Sequence, residues 1–93
     1  MPVISLDPDA ARSTAATMDA SKSSIEGELN RMMSSANEVM STWAGSSRQQ
    51  FEAQWEQWCQ KLRTMMDELH NLSNGLRREA EEFESVDRTF LAA

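Results

Sequence analysis

The sequence has few of the residues that interrupt helices. Only three of its 93 residues are glycine and two are proline, and both prolines lie within the first eight positions. Helix interiors disfavour both residues, whereas the turns of a sheet protein need them repeatedly. The composition therefore favours long uninterrupted helices and argues against a β fold.

Cysteine and histidine are equally scarce, with one of each. The single cysteine, Cys59, excludes an internal disulfide, and we expect it to be a small buried hydrophobic side chain. The single histidine, His70, is accompanied by no zinc pattern, phosphate-binding loop or nucleophile motif, and we expect it at the surface. We therefore expect no metal, no cofactor and no enzymatic activity.

Positive charge is in deficit. The chain has 15 acidic residues against 9 Lys and Arg, which gives a net charge of −6. Such a surface repels phosphate backbones, so nucleic-acid binding is excluded as a function, and binding to anionic membranes is disfavoured at neutral pH. The start of the chain, residues 1–7, has neither a basic region nor a long apolar run. We therefore expect that any export does not use a cleaved signal peptide.

The first half of the chain predicts one long helix, from about residue 8 to about residue 42. Asp7 is a favourable N-cap, Pro8 suits the first helical position, and the charge of Asp9 is stabilised at the positive end of the helix dipole. Positions that face one side then recur at alternating steps of four and three residues, a heptad pattern. They are Ala11, Ala15, Met18, Lys22, Ile25, Leu29, Met32, Ala36, Val39 and Trp43.

The second half repeats this pattern and predicts a helix from about residue 47 to about residue 86, with a short tail over 87–93. Its seam contains one charged residue, Glu79. The seam positions are Phe51, Trp55, Trp58, Leu62, Met65, Leu69, Leu72, Leu76, Glu79, Phe83, Val86 and Phe90. If Trp58 and Leu62 are buried in this seam, truncating either to Ala should cost roughly 2–5 kcal/mol.

The two patterns break at residues 43–46, where we predict a tight turn. Gly45 can end the first helix in the left-handed conformation, and Ser46 or Ser47 can cap the second helix. Because a short connection makes consecutive helices antiparallel neighbours, the predicted fold is all-α, an antiparallel two-helix hairpin.

The apolar surface is wider than one hairpin needs. A second, weaker stripe lies beside the main seam, with Cys59, Met66, Ser73 and Ala80 spaced seven residues apart. An exposed strip of that length promotes association, so we expect two hairpins to pair into a four-helix-bundle dimer. The predicted hairpin or dimer interface comprises Met18, Ile25, Leu29, Met32, Val39, Phe51, Trp55, Trp58, Leu62, Met65, Leu69, Leu72 and Leu76.

The turn also carries a recognisable motif, the W-x-G tripeptide Trp43-Ala44-Gly45. It lies at the middle of the chain between two heptad-patterned helices. This arrangement resembles the WXG family, the small early-secreted-antigen-type proteins exported by type VII (ESX) secretion systems. The resemblance covers essentially the whole chain.

The resemblance implies a function and a set of partners. Family members pair into antiparallel four-helix bundles and leave the cell folded, as dimers, through a membrane complex driven by an ATPase of the FtsK/SpoIIIE type. They usually carry a tail signal, Y-x-x-x-D/E, whose nearest match here runs from Phe83 to Asp87, with Phe in place of Tyr. The resemblance thus implies a secreted protein that pairs with itself or with a related WXG protein, and a secretion signal formed by Trp43, Gly45, Phe83 and Asp87.

Two other classes remain open from the sequence. A cytoplasmic coiled-coil adaptor or chaperone for a larger client would have the same heptads without needing the W-x-G turn or the tail. A membrane-active effector could turn its apolar faces to lipid, although acidic polar faces argue against this at neutral pH.

Overall fold

The computed structural model describes the backbone of residues 5–92 and the side chains of residues 5–86. It consists of two helices, α1 (Pro8–Ser41) and α2 (Ser46–Ala92), which pack side by side as an antiparallel hairpin 73 Å long. No strand occurs in the described backbone. The predicted all-α hairpin is confirmed.

Local hydrogen bonds explain where α1 begins and how the chain turns. The Asp7 carboxylate accepts hydrogen bonds from the backbone N–H groups of Asp9 (3.0 Å) and Ala10 (3.2 Å), and Pro8 occupies the first turn. After α1, Gly45 has φ +114°, a conformation that L side chains rarely adopt. Its carbonyl accepts from the N–H of Arg48 at 3.2 Å, which starts α2 immediately after the turn.

The second helix is longer than predicted. It continues to Ala92, so residues 87–92 are helical where the sequence suggested a separate tail. The stretch after Gly75 contains neither glycine nor proline, and nothing in it ends a helix. At about 1.5 Å per residue, α2 is roughly 70 Å long against about 50 Å for α1, so its last turns extend beyond the start of α1.

The interior between the helices is made mostly of small side chains. On α2 the buried residues lie seven positions apart, along the stripe that was predicted to be the weaker of the two. The buried set is Ala11, Ala15, Leu29, Ala36 and Met40 on α1, and Cys59, Met66, Ser73 and Ala80 on α2. The expected burial of Cys59 is confirmed.

The main seam predicted for α2 is therefore not the interior of the hairpin. Trp58, Met65 and Leu72 are exposed, and Leu62 lies half-buried at the edge. The premise that Trp58 is buried within the chain is wrong. A helix in a two-helix hairpin covers only one strip of its surface, and the smaller side chains of the neighbouring stripe occupy that strip.

Candidate interaction surface

One side of the hairpin is closed by polar contacts between the helices, and we call it the ion-pair side. The guanidinium of Arg12 donates to both carboxylate oxygens of Glu84, at 2.5 and 2.9 Å. Seven residues further along α1, Asp19 pairs with Arg77 and accepts a 2.7 Å hydrogen bond from the Ser73 hydroxyl. These groups fasten α1 to α2.

The electrostatics of the ion-pair side follow from these contacts. The hydrogen bond to Glu84 raises the pKa of Arg12 above its ordinary value. Hydrogen bonds from Ser73 and then Arg77 lower the pKa of Asp19, because they favour its charged form. The side chains of all four charged residues remain 30–41% exposed, so water screens the pairs.

The opposite side of the hairpin carries a strip of exposed hydrophobic residues, which we call the apolar face. Its α1 members lie seven residues apart, and its α2 members follow at seven-residue steps except where Glu79 takes one step. The face consists of Met32, Val39, Trp58, Met65, Leu72 and Val86, with exposed fractions from 40% for Met32 to 70% for Val86.

Half-buried residues border the apolar face and join it to the interior. Met18 and Ile25 continue the α1 row, and Trp55, Leu62, Leu69 and Leu76 form a row on α2. Met32, Ala36 and Trp55 line a shallow groove between the two helices. Because the small Ala36 leaves this groove open, it offers a hole into which a side chain from a further helix can pack.

A row of stacked aromatic rings leads from the turn onto the apolar face. The ring centroids of Trp43 and Phe51 are 5.6 Å apart, those of Phe51 and Trp55 6.4 Å, and those of Trp55 and Trp58 5.3 Å. The last two pairs stack nearly parallel. Each of these rings was predicted to lie in a seam, but the single row that they form was not predicted. The spacing of Phe51, Trp55 and Trp58, by four and then three residues, could have predicted the row, because such steps put side chains on one face of a helix.

Within one chain, the residues proposed for a secretion signal lie at opposite ends. Trp43 and Gly45 form the turn, whereas Phe83 is half-buried on α2 at the far end of the hairpin, next in sequence to Glu84, the partner of Arg12. The hairpin therefore does not bring them together. The Asp87 side chain lies outside the described residues, as does that of Phe90.

The remaining singled-out residues show ordinary structural environments. His70 is exposed, and its Nε2 lies 3.1 Å from Nδ2 of Asn74. Lys22 is partly buried, and its ammonium pairs with Glu26 at 2.8 Å, which raises the pKa of the lysine. Among the residues that the structure describes, no group of three or more His, Cys, Asp or Glu side chains is placed to hold a metal ion. Within the described residues, no helix is long and apolar enough to cross a membrane.

Taken together, the antiparallel helices and the W-x-G turn define a small helical-hairpin protein. The family model for WXG100, described as proteins of 100 residues with WXG, matches residues 3–88. The chain belongs to the WXG100 family of small type VII secretion proteins.

Individual relatives agree with this assignment. The ESAT-6-like protein EsxB of Corynebacterium diphtheriae is 28% identical over 79 residues, which make up 85% of this chain and 75% of that protein. The crystal structure of the wild-type secreted protein EsxB of Bacillus anthracis strain Sterne superposes with a TM-score of 0.80 at 23% identity, covering 89% of each chain. Its selenomethionine form gives a TM-score of 0.79 over 94% of this chain and 99% of that one. At this identity the crystal structures support the fold alone.

Proposed function

We propose that this chain is a non-enzymatic protein exported by a type VII secretion system, and that it acts through helix–helix association. The observation that supports this proposal most is the apolar face. It runs along both helices, is uncovered in the single hairpin, and has the heptad spacing that pairs helices rather than the concave shape that holds a substrate.

The occupant of the apolar face that we propose is a second copy of the chain. Two identical strips can cover each other about a two-fold axis, which gives a closed dimer and leaves no strip exposed. Each hairpin contributes two helices, so the dimer is a four-helix bundle. A related WXG protein with a matching strip is the alternative partner.

An antiparallel arrangement of the two hairpins also assembles the proposed secretion signal. The turn of one hairpin then lies beside the far end of the other, so Trp43 and Gly45 approach Phe83 and Asp87 of the second copy. We propose that this composite surface is what the type VII secretion ATPase recognises. Phe83 keeps the ring of the usual Tyr but lacks its hydroxyl, so recognition here relies on ring packing and on the Asp87 charge.

Export can be tested by measuring the protein in washed culture medium. The native strain and a strain lacking the type VII ATPase would each produce the wild type, Trp43→Ala or Asp87→Ala, and a cytoplasmic marker would report lysis. We expect ATPase-dependent export of the wild type and at least about tenfold less export of each variant, since a loss of roughly 1.4 kcal/mol in binding is tenfold in affinity. Circular dichroism would show that the variants remain folded.

A matched control uses Glu68→Ala, which removes an exposed acidic residue from the middle of α2. It should be exported like the wild type. Protein that stays inside every strain would contradict the export proposal and would favour the cytoplasmic adaptor, because the same apolar face can bind a client helix. Equal loss of export in Glu68→Ala and Asp87→Ala would remove the assignment of a signal to Asp87.

A further inference from the structure

The two ends of the hairpin are held by different kinds of contact. Toward the turn, the interior contains the larger buried side chains Leu29, Met40 and Met66. Toward the other end, which we call the open end (residues 8–22 of α1 and 73–86 of α2), the interior contains only small buried side chains, namely Ala11, Ala15, Ser73 and Ala80. Each buried methylene contributes about 0.8 kcal/mol, so the open end has less hydrophobic stabilisation.

Ion pairs between the helices are concentrated at this same end. Arg12–Glu84 and Asp19–Arg77 both join α1 to α2 within the open end. Other ion pairs of the described residues, such as Lys22–Glu26 and Arg31–Glu28, lie within α1 and do not hold the helices together. At the open end, where the buried side chains are small, ion pairs therefore supply much of the contact between the two helices.

Ser73 ties one of these pairs to the interior. Its side chain is fully buried at a position of the α2 stripe where the neighbouring members are Met66 and Ala80. The hydroxyl donates to Oδ1 of Asp19, and Arg77 donates to the same hydroxyl at 3.4 Å while pairing with Oδ2 of Asp19. The Ser73 hydroxyl also lies 3.0 Å from the carbonyl oxygen of His70 in its own helix, so it keeps a partner when α1 moves away. The register of α1 against α2 is therefore favoured by the charged pair Asp19–Arg77, which loses its cross-helix partner in any other register.

We propose that Arg12–Glu84 and the Asp19–Ser73–Arg77 cluster form a polar latch on the hairpin. When the latch breaks, the helices separate from the open end while the turn end stays packed. The released part of α2, residues 73–86, is then a single helix accessible on all sides to another helix. This conformational device is independent of the proposed export and can be tested without it.

The test is amide hydrogen exchange of the full chain, resolved by peptide mass spectrometry, on the wild type and on Arg77→Glu. The substitution puts a second carboxylate beside Asp19 and disrupts the Asp19–Ser73–Arg77 part of the latch by repulsion, while the Arg12–Glu84 pair is left to hold the open end alone. We expect exchange in residues 8–22 and 73–86 to become about three- to tenfold faster, because helical segments that lose their packing partner unfold locally more often and so expose their amides. Residues 29–66 should stay within about twofold of the wild type.

Three further variants test whether the effect of Arg77→Glu comes from the loss of its contact with Asp19. Arg78→Glu makes the same charge change at the next residue, which is exposed, and should leave exchange in both regions within about twofold. The charge swap Asp19→Lys with Arg77→Glu should return the open end toward wild-type exchange. Arg77→Gln is the milder variant if Arg77→Glu does not fold, and it should act in the same direction.

Three results would overturn the latch. The first is equal acceleration along both helices in Arg77→Glu or Arg77→Gln, which would mean that these groups support the whole hairpin. The second is unchanged exchange at the open end. The third is an equal effect of Arg78→Glu, which would assign the change to net charge.

Discussion

Small residues occupy the closest contact between the helices, and the largest ones lie beside it. Ala15, Ser73 and Ala80 are fully enclosed, whereas Trp58 is 44% exposed. Helix axes pack about 8–10 Å apart, and at the nearest approach only small side chains fit. The sequence showed both stripes of α2 but favoured the bulkier one as the seam. A heptad pattern indicates that a stripe is covered, yet it does not distinguish a helix of the same chain from one of another.

Leu29 is the residue at which interior packing can be tested most directly. It is 5% exposed, and Leu29→Ala should lower the free energy of unfolding by about 2–4 kcal/mol through lost burial and the cavity left behind. Urea unfolding followed by circular dichroism at a fixed protein concentration would measure this. Gln57→Ala, at an exposed position of α2, should change it by less than about 0.5 kcal/mol. A similar effect of both variants would contradict the assigned interior.

The Asp19 carboxylate should give part of the stability a defined pH dependence. Its pKa in the folded chain is lower than the ordinary value of 3.8. The main cause is the hydrogen bond that Ser73 donates to it, and the second is the hydrogen bond from Arg77. Its contribution is therefore fully present above that value and is lost as the pH falls through the lower folded-state pKa. The difference in unfolding free energy between the wild type and Asp19→Asn should be constant above about pH 5 and shrink below about pH 4. A difference that grows on acidification would contradict this assignment.

At the scale of the helices, the sequence predicted beginnings better than endings. The start of α1 at Asp7 and Pro8 follows from local chemistry, and the structure has the same cap. The expected caps at the turn were wrong, because α1 ends at Ser41 with Thr42 as its C-cap, and Ser46 is the first residue of α2 rather than the residue that caps it. The sequence predicted the end of α2 near residue 86. Since no breaker lies there, the helix continues to Ala92. Local signals determine caps and turns, whereas the end of a helix that lacks a stop signal cannot be read from its local sequence.

Two glycines should respond in opposite directions to the same substitution. At Gly27, within α1, an added Cβ meets nothing within 4 Å, so Gly27→Ala should stabilise the chain by about 0.5–1 kcal/mol through helix propensity. At Gly45 the space is also open but φ is +114°, so Gly45→Ala should destabilise it by about 1–2 kcal/mol. Thermal unfolding of both variants would measure the two effects. Stabilisation by Gly45→Ala would show that the turn does not need its positive φ.

At the scale of the whole molecule, the hairpin has one side fastened by ion pairs and one side left apolar. The cross-helix partners Arg12 with Glu84, and Asp19 with Arg77, could not be predicted from the sequence, because pairing them requires the register of α1 against α2. The residues of the apolar face were predicted as seam positions. That they are exposed in the single chain could not be predicted, because it depends on which stripe of each helix forms the interior. The proposed dimer rests on this separation of the two sides.

The most direct test of that account is sedimentation equilibrium of the purified chain at about 20 µM, which lies above the micromolar-to-picomolar range of Kd values found for interfaces of standard size. We predict a mass of about 21 kDa for the wild type and for Gln57→Arg, twice the 10.5 kDa of one chain. Leu72→Arg, which puts a charge into the centre of the apolar face, should give the monomer mass. A monomeric wild type, or a Leu72→Arg variant that is as dimeric as the wild type, would contradict the claim that the apolar face pairs two copies of this chain.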